Sequence, residues 1–434
     1  MVRFMSTPAP RAFLQSLFRT AVAAAHPASC LPPLLPPPRA GRLILLAAGK
    51  AAGSMAEVAE GFYLDRLKLD PERLCGVAVA RHGYGRPLQI VTMIEAGHPV
   101  PDGAGLEAAL RAIEFADGAE ADDLVLVLMS GGASANWIAP VVGVTFADKQ
   151  AVTRALLRSG ATIGEINTVR KHLSRIKGGR LARHAYPAKL VTIAISDVPG
   201  DDPSAIGSGP TVPDPTTLAD ARAIVANYRL DLPTSVTAAL ADAQNESPKP
   251  DDPAFAGSQF VLAARPADSL RAAETAVRAA GYECMSLGDR VEGEAREVAA
   301  AHAKLARELR AKSARAVILS GGELTVTIRG QGRGGPNQEY ALALAMGLAH
   351  MPAVAALAAD TDGTDGGVGD ASDPAGAVLD GETVARAQAL GLDPAAFLAD
   401  NNSTGFFAAL KDLLLTGPTY TNVNDFRAIV VDRL

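Results

Sequence analysis

Lys50, Arg333 and two clusters of carboxylates are the residues whose types and spacing suit chemistry on an anion. Lys50 stands in Gly49-Lys50-Ala51-Ala52-Gly53-Ser54, directly after an apolar run at 43–47. Arg333 lies among four glycines in Gly330-Gln331-Gly332-Arg333-Gly334-Gly335-Pro336-Asn337. Glycines let backbone N–H groups converge on an anion, and Pro336 suits the first turn of a helix whose positive end would face that turn. One crossover later comes Asp360-Thr361-Asp362-Gly363-Thr364-Asp365-Gly366, and the first half of the chain carries Ser196-Asp197-Val198-Pro199-Gly200-Asp201-Asp202. Donors for phosphates beside hard oxygen ligands are what phosphoryl transfer from a magnesium nucleotide requires. The expected metal-facing groups are Asp197, Glu323, Asp360 and Asp362, with Asp201, Asp202 and Asp365 as further carboxylates in the same stretches.

Each of these has a plainer reading. The glycine stretch also reads as a tight structural turn, and acidic loops are often only solvated. Gly330-x-Gly332-x-x-Gly335 formally matches a dinucleotide fingerprint, but the acid expected about 20 positions on is replaced by Ala349-His350-Met351-Pro352-Ala353. The 360–366 loop is no EF-hand, since Thr364 replaces a required acid. The Lys50 turn is no Walker A loop, because Ala51 stands where Ser or Thr belongs.

The elements that must position these residues alternate between strand and helix. Apolar runs at 43–47, 76–80, 89–94, 124–129 and 190–195 predict strands, with a helix over 105–116. Residues 316–320 and 354–357 predict strands in the second half, and the alternation of Leu324, Val326 and Ile328 with Thr325, Thr327 and Arg329 predicts another. Ser130-Gly131-Gly132 after one strand echoes Gly321-Gly322 after another. We read these diglycine turns, with Gly334, Gly335 and Asn337, as nucleotide-binding loops; coincidence is the alternative. The segment 165–183 carries Arg170, Lys171, His172, Arg175, Lys177 and Arg180, either as a solvated helix face or as the basic patch an anionic substrate needs.

At 434 residues, 48% hydrophobic and 20% charged, the chain has material for two buried cores. Its net charge of −6 argues against nucleic acid or a membrane surface as partner. No stretch approaches the ~20 apolar residues of a membrane span. Three widely spaced cysteines point to reduced thiols and a cytoplasmic setting. Phe13, Leu14, Leu17, Phe18, Ala21 and Val22 fall at helical spacing and predict a docked amphipathic helix rather than a targeting peptide. The proline-rich polar stretch 245–253 predicts a boundary between domains 1–248 and 254–434, and the fold class is α/β.

Taken in order, several motifs resemble the class II glycerate kinases, whose C-terminal half is called the MOFRL domain. They are Gly49-Lys50-Ala51-Ala52-Gly53, Ser130-Gly131-Gly132-Ala133-Ser134, Val169-Arg170-Lys171-His172-Leu173-Ser174, Ser196 to Asp202, Ser208-Gly209-Pro210-Thr211, Gly334 to Glu339, Asp360 to Gly366 and Thr421-Asn422-Val423-Asn424-Asp425. The resemblance implies ATP-dependent transfer to the 2-hydroxyl of D-glycerate with Mg2+, in a cleft between a Rossmann-like N-terminal domain and the MOFRL domain. It points to Lys50 and Arg333 as the catalytic pair. Because glycerate carries a carboxylate, we assign its recognition to the basic segment Arg170–Lys177, with Arg170 and Lys171 foremost and Ser134 and Asn136 as hydroxyl partners. Tyr420 departs from the family pattern, which leads us to expect glycine there. Some members are labelled hydroxypyruvate reductases, so reduction with NAD(P)H stands as an alternative, as does a non-catalytic binding module. Small-molecule partners, glycerate and ATP, are expected, and a homo-oligomer is left open.

Overall fold

The computed structural model describes residues 9–367 and 369–432. Two compact units emerge: Cys30–Ala263, and the N-terminal stretch up to Ser29 together with the chain from Ala264 onward.

The 30–263 unit is built on six strands: β1 (Leu43–Ala48), β2 (Leu74–Arg81), β3 (Thr92–Ala96), β4 (Leu124–Met129), β5 (Lys189–Ile195) and β6 (Gln259–Ala264). Their order in the sheet is β3-β2-β1-β4-β5-β6. β1 through β5 pair in parallel, with Leu43 of β1 opposite both Leu74 and Leu124. Every residue of β1 and β4 is buried, which is why these strands read as continuous apolar runs without alternation. The helix Gly103–Asp117 lays Ala108, Ala109, Ala112 and Ile113 on the sheet, and Asp102 caps its start by accepting from Gly105 N at 3.1 Å. The helices Phe146–Ser159, Ile163–His172 and Leu218–Asn227 form a satellite cluster around Leu156, Val169 and Ala221. Each opens with a capping box, Thr145/Asp148, Thr162/Glu165 and Thr217/Asp220. This cluster carries the basic segment.

The other unit has β7 (Glu283–Ser286), β8 (Gly293–Glu294), β9 (Ala316–Ser320), β10 (Leu324–Thr325), β11 (Val354–Asp360), β12 (Gly376–Asp380), β13 (Leu413–Leu414) and β14 (Asp425–Val431). The main sheet runs β13-β12-β11-β14-β9-β7; β7 and β9 are parallel, and the remaining neighbours are antiparallel. Alternate residues part to two faces. Val317, Leu319, Leu357 and Val430 pack under the helices Pro10–Ala25 and Pro266–Ala279. Ile318, Ala356, Ala358 and Ile429 meet the helices Ala295–Ala311 and Pro336–Gly347 on the opposite face.

Three expectations need correction. The N-terminal helix does not belong with residues 30–248: Phe13, Leu14, Leu17 and Phe18 are buried against the 264–432 sheet. Burying four such side chains contributes on the order of 6–12 kcal/mol before ordering costs. Ser269 Oγ and Thr421 Oγ1 also donate to the helix carbonyls of Ala21 and Ala25, at 2.8 and 2.7 Å. The far boundary moves as well. β6, expected to open the second domain, completes the first sheet, and the 245–253 stretch is pinned inside that unit by Asp214 N donating to Pro248 O at 3.1 Å. Nor does the alternating run at 324–329 make a long strand. Only Leu324–Thr325 pairs, with Gly293–Glu294, after which Arg329 and Gly330 donate to Asn401 Oδ1 instead.

Candidate functional site

The chain adds β1, β2 and β3 outward in one direction and then returns to add β4, β5 and β6 in the other, so the order reverses between β1 and β4. In parallel sheets ligands bind beyond the carboxyl ends of strands at such a reversal. The two turns leaving those strands are bonded to each other. Ser130 N donates to Ala48 O at 3.0 Å, Lys50 N to Gly131 O at 2.8 Å, and Ala51 N to Ser130 Oγ at 2.9 Å. Gly49 has φ +116°, and a Cβ there would strike Ser130 O and Oγ. Lys50, half-buried, therefore starts from a backbone that the second turn fixes.

A third loop joins them. A Cβ on Gly132, where φ is +85°, would lie 2.9 Å from His98 Cδ2, 3.0 Å from His98 Nε2 and 3.4 Å from Lys50 Cγ. His98 follows β3 and escaped the sequence reading. Its signal was Gly97-His98-Pro99 immediately past a strand end.

Ser134, two residues beyond Gly132, is the focus of the basic segment. Its Oγ accepts from Arg170 Nη2 at 2.9 Å and from Lys177 Nζ at 3.1 Å, and lies 2.9 Å from Ser208 Oγ. Lys177 also donates to Ser134 O at 2.7 Å. The solvated-face reading fails here, because Lys177 and Lys149 are each 1% exposed. Burial, with other cations nearby, holds both ammoniums well below the usual lysine range. Burial lowers Arg170 too, and takes Arg180 to about 10.

Lys171 departs from expectation. It is buried with Nζ 3.2 Å from Asp214 Oδ1, so its charge is committed within the protein. Burial would push Asp214 up, but Lys171 and the Thr216 bonds outweigh it and hold the carboxyl below its ordinary value. Asn136 is fully buried, its Nδ2 donating to Gly97 O at 3.3 Å.

In the other unit the glycine turn is mostly satisfied by its own chain. Gly332 N donates to Asp400 O, Gln331 N to Asp400 Oδ1, both at 2.9 Å, and Arg333 N to Asn402 Oδ1 at 3.4 Å. Side chains on Gly330, Gly332, Gly334 or Gly335 would collide with residues 400–403 or 365. At the start of the helix Pro336–Gly347, Asp365 takes the place of a foreign anion. Its carboxylate accepts from Asn337 N at 3.0 Å and Gln338 N at 2.8 Å. Burial, and after the Asn337 bond the neighbouring Asp425, leave Asp365 pushed up to about 7. Asn337 is buried within this network, Nδ2 donating to Asp425 Oδ1 at 2.6 Å, and Arg427 pairs with Asp425 at 2.9 Å. Gly321 and Gly322 answer to a backbone crossing: with φ +105°, Gly322 abuts Val291. Arg333 is the accessible cation, its side chain 60% exposed and Nη2 3.2 Å from Asp373 Oδ1.

The expected metal groups are dispersed. Asp360 Oδ1 accepts from Asp362 N at 2.9 Å, and Asp362 Oδ1 accepts from Thr364 N at 2.8 Å, as turn-forming aspartates do. Asp197 is half-buried past β5, and Glu323 is exposed. Among the described residues no group of three or more His, Cys, Asp or Glu side chains is placed to hold a metal. No helix there is long and apolar enough to cross a membrane.

Comparison with known proteins identifies the family. Residues 13–241 match a family described as "Domain of unknown function (DUF4147)", and residues 316–425 match the MOFRL family. D-glycerate 2-kinase of Thermotoga maritima is 36% identical over 414 residues, covering 94% of this chain and 95% of its own. The chain belongs to the class II glycerate kinase family. An Agrobacterium vitis member named "Putative hydroxypyruvate reductase" is 47% identical over 427 residues, 97% of this chain and 94% of its own. The crystal structure of a Thermotoga maritima glycerate kinase superposes with TM-score 0.85 at 35% identity, covering 97% of this chain and 99% of that one. The mixed α/β architecture with a parallel sheet and a second sheet is thus that of glycerate kinases.

Proposed function

We propose that the chain phosphorylates D-glycerate at its 2-hydroxyl, using ATP and giving 2-phospho-D-glycerate. The observation that carries this is the Lys50 turn, bonded to the Ser130–Gly132 turn where the order of a Rossmann-like parallel sheet reverses. There the Lys50 ammonium neutralises charge on the transferring phosphoryl oxygens, while N–H groups of the Ser130, Gly131 and Gly132 turn hold the nucleotide. Within its own unit Arg333, paired with Asp373, is a bidentate group suited to phosphate oxygens. Ser134 and Arg170 receive the acceptor.

Among the described residues no three such side chains are placed to hold a metal, so a magnesium ion arriving with the nucleotide would be held mainly by phosphates and water, with one or other of Asp197, Glu323, Asp360 and Asp362. Bound, such an ion screens phosphate charge. The formal dinucleotide stretch does not favour the reductase alternative, because its N–H groups are spent on Asp400, Asn401 and Asn402. An ADP-release assay with D-glycerate, L-glycerate, hydroxypyruvate and tartronate semialdehyde tests the reading, with phosphorus NMR locating the product phosphate. Turnover is expected with D-glycerate and should vanish with EDTA and return with Mg2+. Oxidation of NADH by hydroxypyruvate, without ADP release from any acceptor, would sink the kinase reading.

A further inference from the structure

The cations behind Ser134 lack a counter-ion. Lys149 spends its ammonium on the carbonyls of Arg170 and Leu173, each at 2.8 Å. Asp214 is engaged with Lys171. Among the described residues none of Lys149, Arg170 and Lys177 forms an ion pair with a carboxylate. A buried charge without a partner costs several kcal/mol, so a fold that keeps such charges gains when a ligand supplies the opposite sign. Arg170 and Lys177 both end on the Ser134 hydroxyl, from opposite branches of the basic segment, and Ser208 Oγ completes the ring. Lys171, put forward from the sequence for the carboxylate, is paired with Asp214, whereas Lys177 donates to Ser134.

We propose that Lys177, with Arg170, is the specificity-determining cation of the acceptor subsite, seating the acceptor's carboxylate against Ser134 and Ser208. This rests on the kinase reading given above. Hydroxy acids are then selected over neutral polyols of the same size, because only an acid supplies the missing negative charge.

Lys177→Met keeps the length of the side chain and removes the charge. With the fold intact by circular dichroism, KM for D-glycerate is expected to rise about 10–100-fold, the loss of one hydrogen bond to a charged group. KM for ATP should stay within about twofold, and Lys177→Arg should recover most of the loss; a merely structural lysine would move both constants together. An unchanged KM for D-glycerate, or a parallel rise in both constants, overturns the proposal. Should Lys177→Met not fold, Ser208→Ala takes its place, with a smaller rise in the same constant expected and no rise counting against it. Calorimetric titration of the nucleotide-free protein with D-glycerate separates this inference from the kinase reading. Binding that is present in the wild type and lost in Lys177→Met supports the subsite even if no ADP is released. Equal binding, or none in the wild type, overturns it.

Discussion

Two glycine-rich turns, each leading into a helix, have opposite fates. At Gly49–Lys50 the glycine brings two strand-end turns into hydrogen-bonding contact, and in the neighbouring basic segment Arg170 and Lys177 form no ion pair with a carboxylate among the described residues. At Gly330–Gly335 the glycines admit residues 400–403 and 365, and the protein's own side chains consume the N–H groups and the helix start. Glycine content reports close backbone approach in both places. What distinguishes a ligand site is charge left uncompensated after the internal partners are counted.

The largest effect that can break this contrast is on turnover. Lys50→Ala should lower kcat roughly 10²–10³-fold, as removal of one transition-state donor does elsewhere, with the melting temperature little changed because Lys50 is half-buried. A wild-type kcat in the folded variant would move the chemistry away from the first turn.

Asp365→Ala should act on the fold instead. Removing a buried carboxylate that serves four donors of Asn337 and Gln338 should cost about 3–5 kcal/mol in denaturant unfolding. If unliganded stability is unaffected while ATP affinity changes, that helix start is a ligand site after all.

The same helix is anchored by His302, whose Nδ1 lies 2.8 Å from Tyr340 Oη. Burial, helped by Arg427, lowers His302 to about 4 from 6.5. The unfolded chain therefore takes up the proton first. The contribution is complete above pH 6.5 and is lost as pH falls toward 4, amounting to about 3 kcal/mol at most. Unfolding free energies of His302→Gln should be flatter across that window; an equal slope would remove His302 from the acid response.

Smallest is the stability effect at Arg333. Its ion pair with Asp373 is exposed on the arginine side, so Arg333→Ala should cost under about 1 kcal/mol. Its effect should appear in kcat, with Arg333→Lys nearly as slow because lysine cannot grip two oxygens at once. Full activity in Arg333→Lys would rule out a bidentate clamp.

The three capping boxes, though local, went unread, whereas strands β1, β4 and β5 were legible because burial on both faces leaves an apolar run. Lys50 beside a strand end was legible for the same reason. What lay hidden was pairing at a distance. Nothing near Lys171 or Lys177 says that Asp214 neutralises one and not the other. Residues 324–329 alternate, with Leu324 buried and Val326 partly buried, but pairing ends at Thr325 and the chain turns to Asn401; alternation alone cannot supply a partner strand. Tyr420, where glycine was expected, holds φ +58°, a left-handed backbone that glycine takes without strain.

The placement of the helix Pro10–Ala25 on the far unit has a consequence for synthesis. It emerges from the ribosome before its sheet, and all of Cys30–Ala263 is translated in between. At ordinary elongation rates that is a wait of roughly 10–50 s. Throughout it, Leu14, Leu17 and Phe18 have no native surface to cover them, a window in which a nascent-chain chaperone would find a hydrophobic stripe. The unit that lies between this helix and its sheet is therefore complete first, and the helix is made well before it is buried.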